Sequence, residues 1–242
     1  MFGRSRNRIV DHSQFGEFPL FLKLARPRRH GVIVDAGALG KEGSNSYDLL
    51  SQLEWRGVLI EANPHLWDAI ECDFSGLDVT LVRSAVSDAP GNVILHLGVV
   101  DGVSSVFRET AEAWGPSRGS VEVQARRLGD ILDEQHVPPN FDLLDLDIEG
   151  LDMRVLNDLI ANTKYRPRWI FLEASFDFRT KSLADLDLLP SVQDQYKLVG
   201  QTVPNLLLAH RDVLSASTRA RAKFNLWLSR LKRFWKGPPK LR

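Results

Sequence analysis

The sequence predicts an α/β protein with an open, mostly parallel sheet that ends in an antiparallel hairpin. From residue 31 onward, short β-branched runs alternate with helical patterns, as in successive βαβ units. A glycine-containing turn follows the first apolar run, where open α/β sheets bind their ligands. The last two predicted strands are separated only by a short Pro-Asn turn, so they are expected to pair antiparallel.

The periodicity of apolar residues assigns each element in order. Strands are predicted at 32–35, 58–61, 79–82, 93–97, 121–125, 141–147, 169–173, 197–201 and 206–209, and helices at 47–55, 66–73, 128–136 and 153–161. The insertion at 101–120 is rich in Gly and Ser, and it is expected to be either a lid over an acceptor or a solvated connection.

Composition and charge divide the chain into three parts. The 242 residues, of which 43% are hydrophobic, can bury one sizeable core. We expect a basic extension at 1–30, an acidic domain at 31–214 and a basic tail at 215–242, which holds nine Lys/Arg and no acid. The single cysteine excludes an internal disulfide, and no apolar run is long enough for a signal peptide or a membrane span. The protein is therefore expected in the cytoplasm, free or attached peripherally to a membrane.

The first predicted strand runs into an acid and two glycines, Asp35, Gly37 and Gly40. The spacing G-x-x-G differs from the dinucleotide-binding pattern G-x-G-x-x-G. A carboxylate at this turn suits a ligand that carries an amino group and disfavours a pyrophosphate. The alternative is a simple glycine turn.

The second predicted strand ends at Glu61, 21 residues beyond Gly40. Nucleotide-binding α/β folds place an acid here to bind the ribose hydroxyls, as either adenosylmethionine or NAD would require. The alternative is a solvated acid at a strand end.

Acids accumulate at the ends of two later strands. A period of two places Asp145, Asp147 and Glu149 on one side of their strand, and Glu173 ends the next strand. Because both faces of a parallel sheet are normally covered, these acids are expected at its open mouth. They form either a base site or a Mg²⁺ or Mn²⁺ site made by Asp145, Asp147 and Glu173. Some of them could instead bind backbone amides or cap the helix that begins near residue 151.

Taken in order, these motifs resemble the FkbM methyltransferase family over about residues 31–210. The segments that carry the resemblance are Asp35-x-Gly-x-x-Gly, Ser44-Asn45-Ser46, Leu59-Ile60-Glu61-Ala62-Asn63-Pro64, Ala85-Val86-Ser87-Asp88 and Asp145-x-Asp-x-Glu-Gly before Val155-Leu156. The resemblance implies a class I, Rossmann-like methyltransferase fold with a seven-stranded sheet. It also implies S-adenosylmethionine as cofactor and sugar or polyketide hydroxyls as acceptors, hence a small-molecule or glycan partner.

The resemblance also assigns residues to the cofactor. Asp35, Gly37 and Gly40 would form the cofactor turn, and Glu61 would bind the ribose. The remaining cofactor residues would be Ser44, Asn45 and Ser46 at the start of the next helix, with Ser84 and Ala85 beside the adenine. The sequence departs from the family pattern at Leu39, usually Asn, and at Asp145, where many members have Lys.

Methyl transfer to oxygen requires a base, and Asp147 or Glu149 is the candidate, with Glu173 as an orienting residue or metal ligand. His65, His96 and His210 are alternative bases. Two other functions remain open, an NAD-dependent oxidoreductase and a catalytically silent binding protein that keeps the fold. Nucleic acid is not expected as a partner, because the acidic body would repel phosphates.

The basic tail has the pattern of an amphipathic helix. Apolar side chains recur at spacings of three and four among basic ones: Phe224, Trp227, Leu228, Leu231, Phe234 and Trp235, with Arg230, Lys232, Arg233 and Lys236. Such a helix is expected either to lie on an anionic membrane or to pack its aromatic face on its own acidic body or a second subunit. Packing on a second subunit would make the protein a homo-oligomer.

Overall fold

The computed structural model describes residues 10–100, 102–174, 182–202 and 205–236, and the side chains only as far as residue 227 in the last range. The helices are α1 (Glu17–Ala25), α2 (Tyr47–Leu53), α3 (Trp67–Asp73), α4 (Arg108–Ala111), α5 (Leu128–Glu134), α6 (Asp152–Asn162), α7 (Pro190–Gln195) and α8 (Ala216–Lys236). The strands are β1 (Val32–Ala36), β2 (Arg56–Glu61), β3 (Val79–Arg83), β4 (Ala85–Val86), β5 (Gly91–Leu97), β6 (Gly119–Arg126), β7 (Leu143–Leu146), β8 (Trp169–Glu173), β9 (Tyr196–Gln201) and β10 (Asn205–His210).

The main sheet has seven strands in the order β3-β2-β1-β7-β8-β10-β9. The first five strands of this order are parallel, and β10 pairs antiparallel with both β8 and β9. The order turns back at β1, between β2 and β7, which is the position where open α/β sheets bind ligands. The predicted parallel sheet with a final antiparallel hairpin is confirmed, although residues 203–204 of the hairpin turn lie outside the described residues.

Helices cover both faces of this sheet and divide the core in two. On one face α5, α6 and α7 pack on residues such as Val34 and Leu144. On the other face α1, α2, α3 and the first turns of α8 pack on residues such as Ile33 and Leu143. Because side chains alternate along a strand, both faces of β1 and β7 carry buried apolar residues, as expected for a buried parallel sheet.

A small second sheet, in the order β4-β6-β5, projects from the main one. The predicted strands at 93–97 and 121–125 form its antiparallel pair, β5 and β6, and so do not extend the main sheet. The insertion that the sequence places at 101–120 connects these two strands, and α4 interrupts it. Asp101 itself lies outside the described residues.

Helix α1 falls inside the stretch that charge alone set apart as a basic extension. Its apolar side chains Phe18, Phe21 and Leu24 are buried in the same core as the sheet residues. The Phe21 ring meets Trp55 edge to face, with centroids 5.9 Å apart. The N-terminal segment from α1 onward is thus part of the folded body.

The basic tail forms the predicted helix, α8, whose backbone runs from Ala216 to Lys236. Its first turns pack on β9 and α1 through Thr218 and Ala222, which are buried. Among the helices that the structure describes, none is both long and apolar enough to cross a bilayer.

Candidate active site at the carboxyl ends of the parallel strands

A cavity with about 550 Å³ of open space lies beyond the carboxyl ends of β1, β2 and β7. This space includes solvent at its open mouth, and it lies where open α/β sheets bind their ligands. Its walls come from the ends of several strands and from the insertion: Gly37, Leu39, Ile60, Glu61, Ala62, Ser84, Ala85, Val86, Leu95, Gly102, Ser104, Val106, Asp147, Ile148, Glu149 and Leu151.

Gly37 directly follows β1 and lies against the backbone of Asp147, just after β7. Its φ angle is +95°, and a Cβ at this position would lie 1.8 Å from the backbone oxygen of Asp147. Only glycine therefore fits, because a side chain would collide with a backbone atom in a conformation that already disfavours L-residues. The turn holds Asp147 against the cavity wall, where the Asp147 amide donates to the Ala36 carbonyl at 3.0 Å.

Gly40, the second glycine of the predicted cofactor turn, faces away from this wall. A Cβ there would lie 2.6 Å from an oxygen of Asp73, whose carboxylate accepts the Lys41 amide at 2.7 Å. The glycine therefore allows α3 to approach the turn.

Asp35 and Asp145 are direct cross-strand neighbours in the register of β1 and β7. Both are buried on the face covered by α1 and α2. Burial raises the pKa of Asp35 to about 6, against a hydrogen bond from Ser46 that lowers it. Burial and the nearby charge of Asp35 raise the pKa of Asp145 well above its usual value. Like charges opposite one another are unfavourable, so ionisation of either acid opposes ionisation of the other.

The segment 44–46 hydrogen-bonds both acids of this pair, through Ser46 to Asp35 and through Asn45 to Asp145. Ser44 Oγ accepts the amides of Ser46 and Tyr47 at 3.1 and 3.0 Å and so fixes the start of α2. Asn45 hydrogen-bonds the Asp145 side chain. The segment lies at the start of the following helix, as the sequence predicted, but it is not part of the cavity wall described above.

Glu61 ends β2 with its carboxylate in the cavity wall. Its Oε1 accepts the Asn63 amide at 2.6 Å, while its backbone carbonyl accepts the Ser84 amide at 3.1 Å. Burial raises the pKa of Glu61 to about 8, and the charge of Asp35 adds to the rise. Ser84 and Ala85 lie beside it in the same wall, and Ser84 Oγ donates to the carbonyl of Gln124.

Three acids converge beside the cavity, and two of them, Asp147 and Glu149, line its wall. Carboxylate oxygens of Asp147, Glu149 and Glu173 all lie within 4.8 Å of one another. The Asp147 carboxyl hydrogen-bonds Glu173, so these two share a proton. Burial raises the pKa of Glu149 and of Glu173 to about 8, and burial with the Glu173 charge raises that of Asp147 well above its usual value.

Glu149 reaches this cluster from a turn that other residues hold in place. Its φ is +58°, an uncommon conformation for a residue other than glycine. Its carbonyl accepts the hydroxyl of Ser105 at 2.7 Å, which ties the turn to the insertion. Asp152 accepts the amides of Ile148 and Gly150, each at 3.0 Å, and thereby closes the turn at the start of α6. Strain of this kind is common where a side chain must be aimed into a site.

Sequence reasoning missed both Ser105 and Asp152. Asp152 follows Gly150 at the start of a predicted helix, where a carboxylate commonly binds free amides, so this signal was available. Ser105 gave no signal, because its partner is 44 residues away in the chain.

The insertion contributes directly to the cavity through Gly102, Ser104 and Val106. Leu39 packs against it, since a Cβ on Gly102 would lie 3.2 Å from the Leu39 side chain. Of the two expectations for 101–120, a purely solvated connection is wrong, because these residues line the cavity.

The match to a known protein family agrees with this fold. The family model described as the Methyltransferase FkbM domain matches residues 34–196, two thirds of the chain. The chain belongs to the FkbM methyltransferase family. No curated protein sequence matches the chain significantly.

As an FkbM methyltransferase the protein has an acidic substitution at the heart of its fold. Asp145, the position at which the resemblance implied a departure from the family pattern, is only 3% exposed, and its Oδ1 has no hydrogen-bond partner among the described residues. It faces Asp35 and Asn45 and is not one of the three converging acids. The three acids that could hold a metal ion are Asp147, Glu149 and Glu173. The predicted metal site therefore had one wrong member, because Glu149 and not Asp145 completes the group.

None of the three histidines considered as bases lines the cavity of this FkbM methyltransferase. His96 alternates with Leu95 on β5 and points to the face opposite the cavity wall. His65 is exposed beyond the end of β2. His210 ends β10 beyond Ala209, which pairs with Trp169 at the start of β8, and so lies at the opposite edge of the sheet. The interpretation of His210 as a base is therefore wrong.

Proposed function

We propose that this methyltransferase transfers the methyl group of S-adenosylmethionine to a hydroxyl of a sugar or another small-molecule or glycan acceptor. One observation carries the proposal: a carboxylate suited to a ribose, Glu61, and two members of a carboxyl cluster, Asp147 and Glu149, line the same cavity. Cofactor and acceptor can meet there.

The residues present fit this cofactor. Glu61 offers a carboxylate at the end of β2, where two vicinal hydroxyls can donate to it. Ile60, Val86 and Leu95 give the adjoining wall an apolar character suited to a purine. The cofactor supplies a methyl carbon bonded to a sulfonium sulfur.

Glu149 is the proposed base. Asp147 and Glu173 satisfy one another by sharing a proton, whereas no described residue donates a hydrogen bond to the Glu149 carboxylate. Its oxygens can therefore accept the proton of an acceptor hydroxyl as the oxygen forms its new bond to carbon. A pKa of about 8 is close to that of an effective base at physiological pH.

Calorimetric titration tests the cofactor. S-Adenosylmethionine should bind, and Glu61→Ala should weaken its affinity by about 1–3 kcal/mol, the cost of deleting charge-assisted hydrogen bonds. NAD⁺ should not bind. Binding of NAD⁺ in place of S-adenosylmethionine would instead favour an oxidoreductase.

Turnover tests the base. With labelled S-adenosylmethionine and a panel of sugar and polyketide hydroxyl compounds, Glu149→Gln should abolish most transfer and leave cofactor affinity unchanged. Glu122→Gln, an exposed acid on β6, is the matched control and should retain full activity. A Glu149→Gln enzyme within a few-fold of the wild type would remove Glu149 as the base. Cofactor binding without transfer to any compound would favour a silent binding protein.

A divalent cation at the same trio is the second candidate, because oxygen clusters of this size suit Mg²⁺ or Mn²⁺. Either ion would be held by Asp147, Glu149 and Glu173. Titration of Mg²⁺ and Mn²⁺ into the wild type and Glu149→Gln decides between the roles. Binding that the substitution abolishes supports a cation, and absence of binding leaves the acids as proton acceptors.

A further inference from the structure

Two aromatic side chains stand on the surface of the tail helix α8. Phe224 and Trp227 are each 55% exposed. Their rings stack on one another with centroids 6.0 Å apart and planes inclined by 29°. Exposed aromatic pairs are unusual on a monomer surface that has no partner.

The opposite side of the same helix is the one that packs on the protein. Thr218 and Ala222 are buried there, and the Arg221 guanidinium donates to the Leu24 carbonyl at 3.0 Å. Phe224 lies two residues beyond Ala222, which on a helix is a rotation of about 200°. The expectation that α8 packs its aromatic face on its own body is therefore wrong for Phe224 and Trp227.

The exposed charged side chains of α1 and of the part of α8 that carries the aromatic pair are all positive. Lys23 on α1 and Lys223 on α8 are both exposed, and the Lys23 ammonium lies 6.0 Å from the centre of the Phe224 ring. Arg219, one helical turn before Lys223, is exposed as well. Neither α1 nor the part of α8 with described side chains, 216–227, has an exposed acid. In the sequence, the whole stretch 215–242 has none.

We propose that α8 docks on an anionic membrane surface. Phe224 and Trp227 would enter the boundary between head groups and acyl chains, and Lys23, Lys223 and Arg219 would contact the anionic head groups. The occupant is assigned by charge complementarity, because aromatic rings flanked only by cations match an anionic lipid surface. The spacing of apolar residues in the sequence continues this series to 235, and the α8 backbone stays helical to Lys236. The inference rests on α8 and is independent of the acceptor.

Co-sedimentation of the full chain with vesicles tests the proposal. The probes are vesicles of phosphatidylcholine alone and vesicles that also contain about 30% phosphatidylglycerol. The wild type should sediment with the anionic vesicles at low salt and be released at about 1 M salt, where charges are screened. It should stay in the supernatant with phosphatidylcholine alone.

The double variant Phe224→Ser/Trp227→Ser should lower binding to the anionic vesicles about tenfold or more. Its folding is not at risk, because both side chains point to solvent. Ile94→Ser/Val100→Ser is the matched control, which removes two exposed apolar side chains outside α8 and should bind like the wild type.

Three results would overturn the proposal. The wild type would fail to bind anionic vesicles at low salt, or the double variant and the control would bind equally. The third is a dimer, measured by sedimentation without lipid, that the Phe224→Ser/Trp227→Ser variant alone dissociates. That result would assign the aromatic face to a second copy of the chain.

Discussion

The replacement Gly37→Ala tests how the cavity is built. The added Cβ would lie 1.8 Å from the Asp147 carbonyl oxygen and 2.8 Å from its carbonyl carbon, so the backbone after β7 must move. A non-glycine residue at a positive φ costs about 1–2 kcal/mol. Overpacking against atoms that cannot rotate away adds about 1–3 kcal/mol. We therefore expect the free energy of unfolding to fall by about 2–5 kcal/mol.

Gly76→Ala is the matched control for this experiment. Gly76 also has a positive φ, +81°, but nothing lies within 4 Å of the position of its Cβ. It should cost only the conformational share, about 1–2 kcal/mol. Urea unfolding of both variants at 25 °C measures the difference, and calorimetry with S-adenosylmethionine should show weaker binding for Gly37→Ala alone.

Equal losses of stability in the two variants would refute the reasoning about Gly37, because the collision with Asp147 would then have no energetic consequence. Wild-type cofactor affinity in Gly37→Ala would show that the position of Asp147 does not shape the cavity. Either result would return the glycine to the role of a simple turn residue.

Two further predictions concern the buried acids. Glu61 keeps its proton up to a pKa of about 8 in the folded state, above the usual 4.5, so its contribution to stability is fully present below about pH 4.5 and is lost as the pH rises to about 8. Thermal unfolding of the unliganded protein should show a fall in stability over this range, and Glu61→Gln should reduce the fall without removing it, because Glu149 and Glu173 also have a pKa of about 8. A fall of unchanged size would contradict the assignment. Asp145→Asn should stabilise the protein by about 1 kcal/mol at pH 8, where a buried carboxylate with one unbonded oxygen is most costly, and by much less at pH 5. Urea unfolding at both pH values measures this difference. Destabilisation at pH 8 would show that Asp145 is needed as an anion.

Much of the fold could be predicted because its signals are local. The apolar runs at β1, β2 and β8 and the period of α6 appear in the sequence within a few residues of one another, and each predicted strand is present. Helix α1 was missed, although Phe18, Phe21 and Leu24 recur at helical spacing, because the arginines around it dominated the reading of 1–30. The helical spacing was therefore present in the sequence, but the prediction for 1–30 followed its charge.

The candidate site could be predicted only by position along each strand. Parallel strands bring their carboxyl ends to one edge, so Asp145, Asp147, Glu149 and Glu173 were expected near one another, and all but Asp145 meet there. The period-of-two argument failed to say which acids meet. Strand β7 ends at Leu146, and the turn at Glu149 and Gly150, both at positive φ, redirects the chain.

The sequence by itself determined the nine predicted strands, the mostly parallel sheet with its final hairpin, and the edge of the sheet where the acids gather, because these follow from residue spacing and strand direction. Only the tertiary structure decided that Asp35 is the cross-strand neighbour of Asp145 and that Gly37 leaves room for the Asp147 backbone. The same is true of the hydrogen bond from Ser105 to the Glu149 carbonyl. The tertiary structure also decided which face of α8 is buried. These facts depend on strand register and on contacts between residues far apart in the chain, and neither register nor close approach is encoded in the spacing of a single segment.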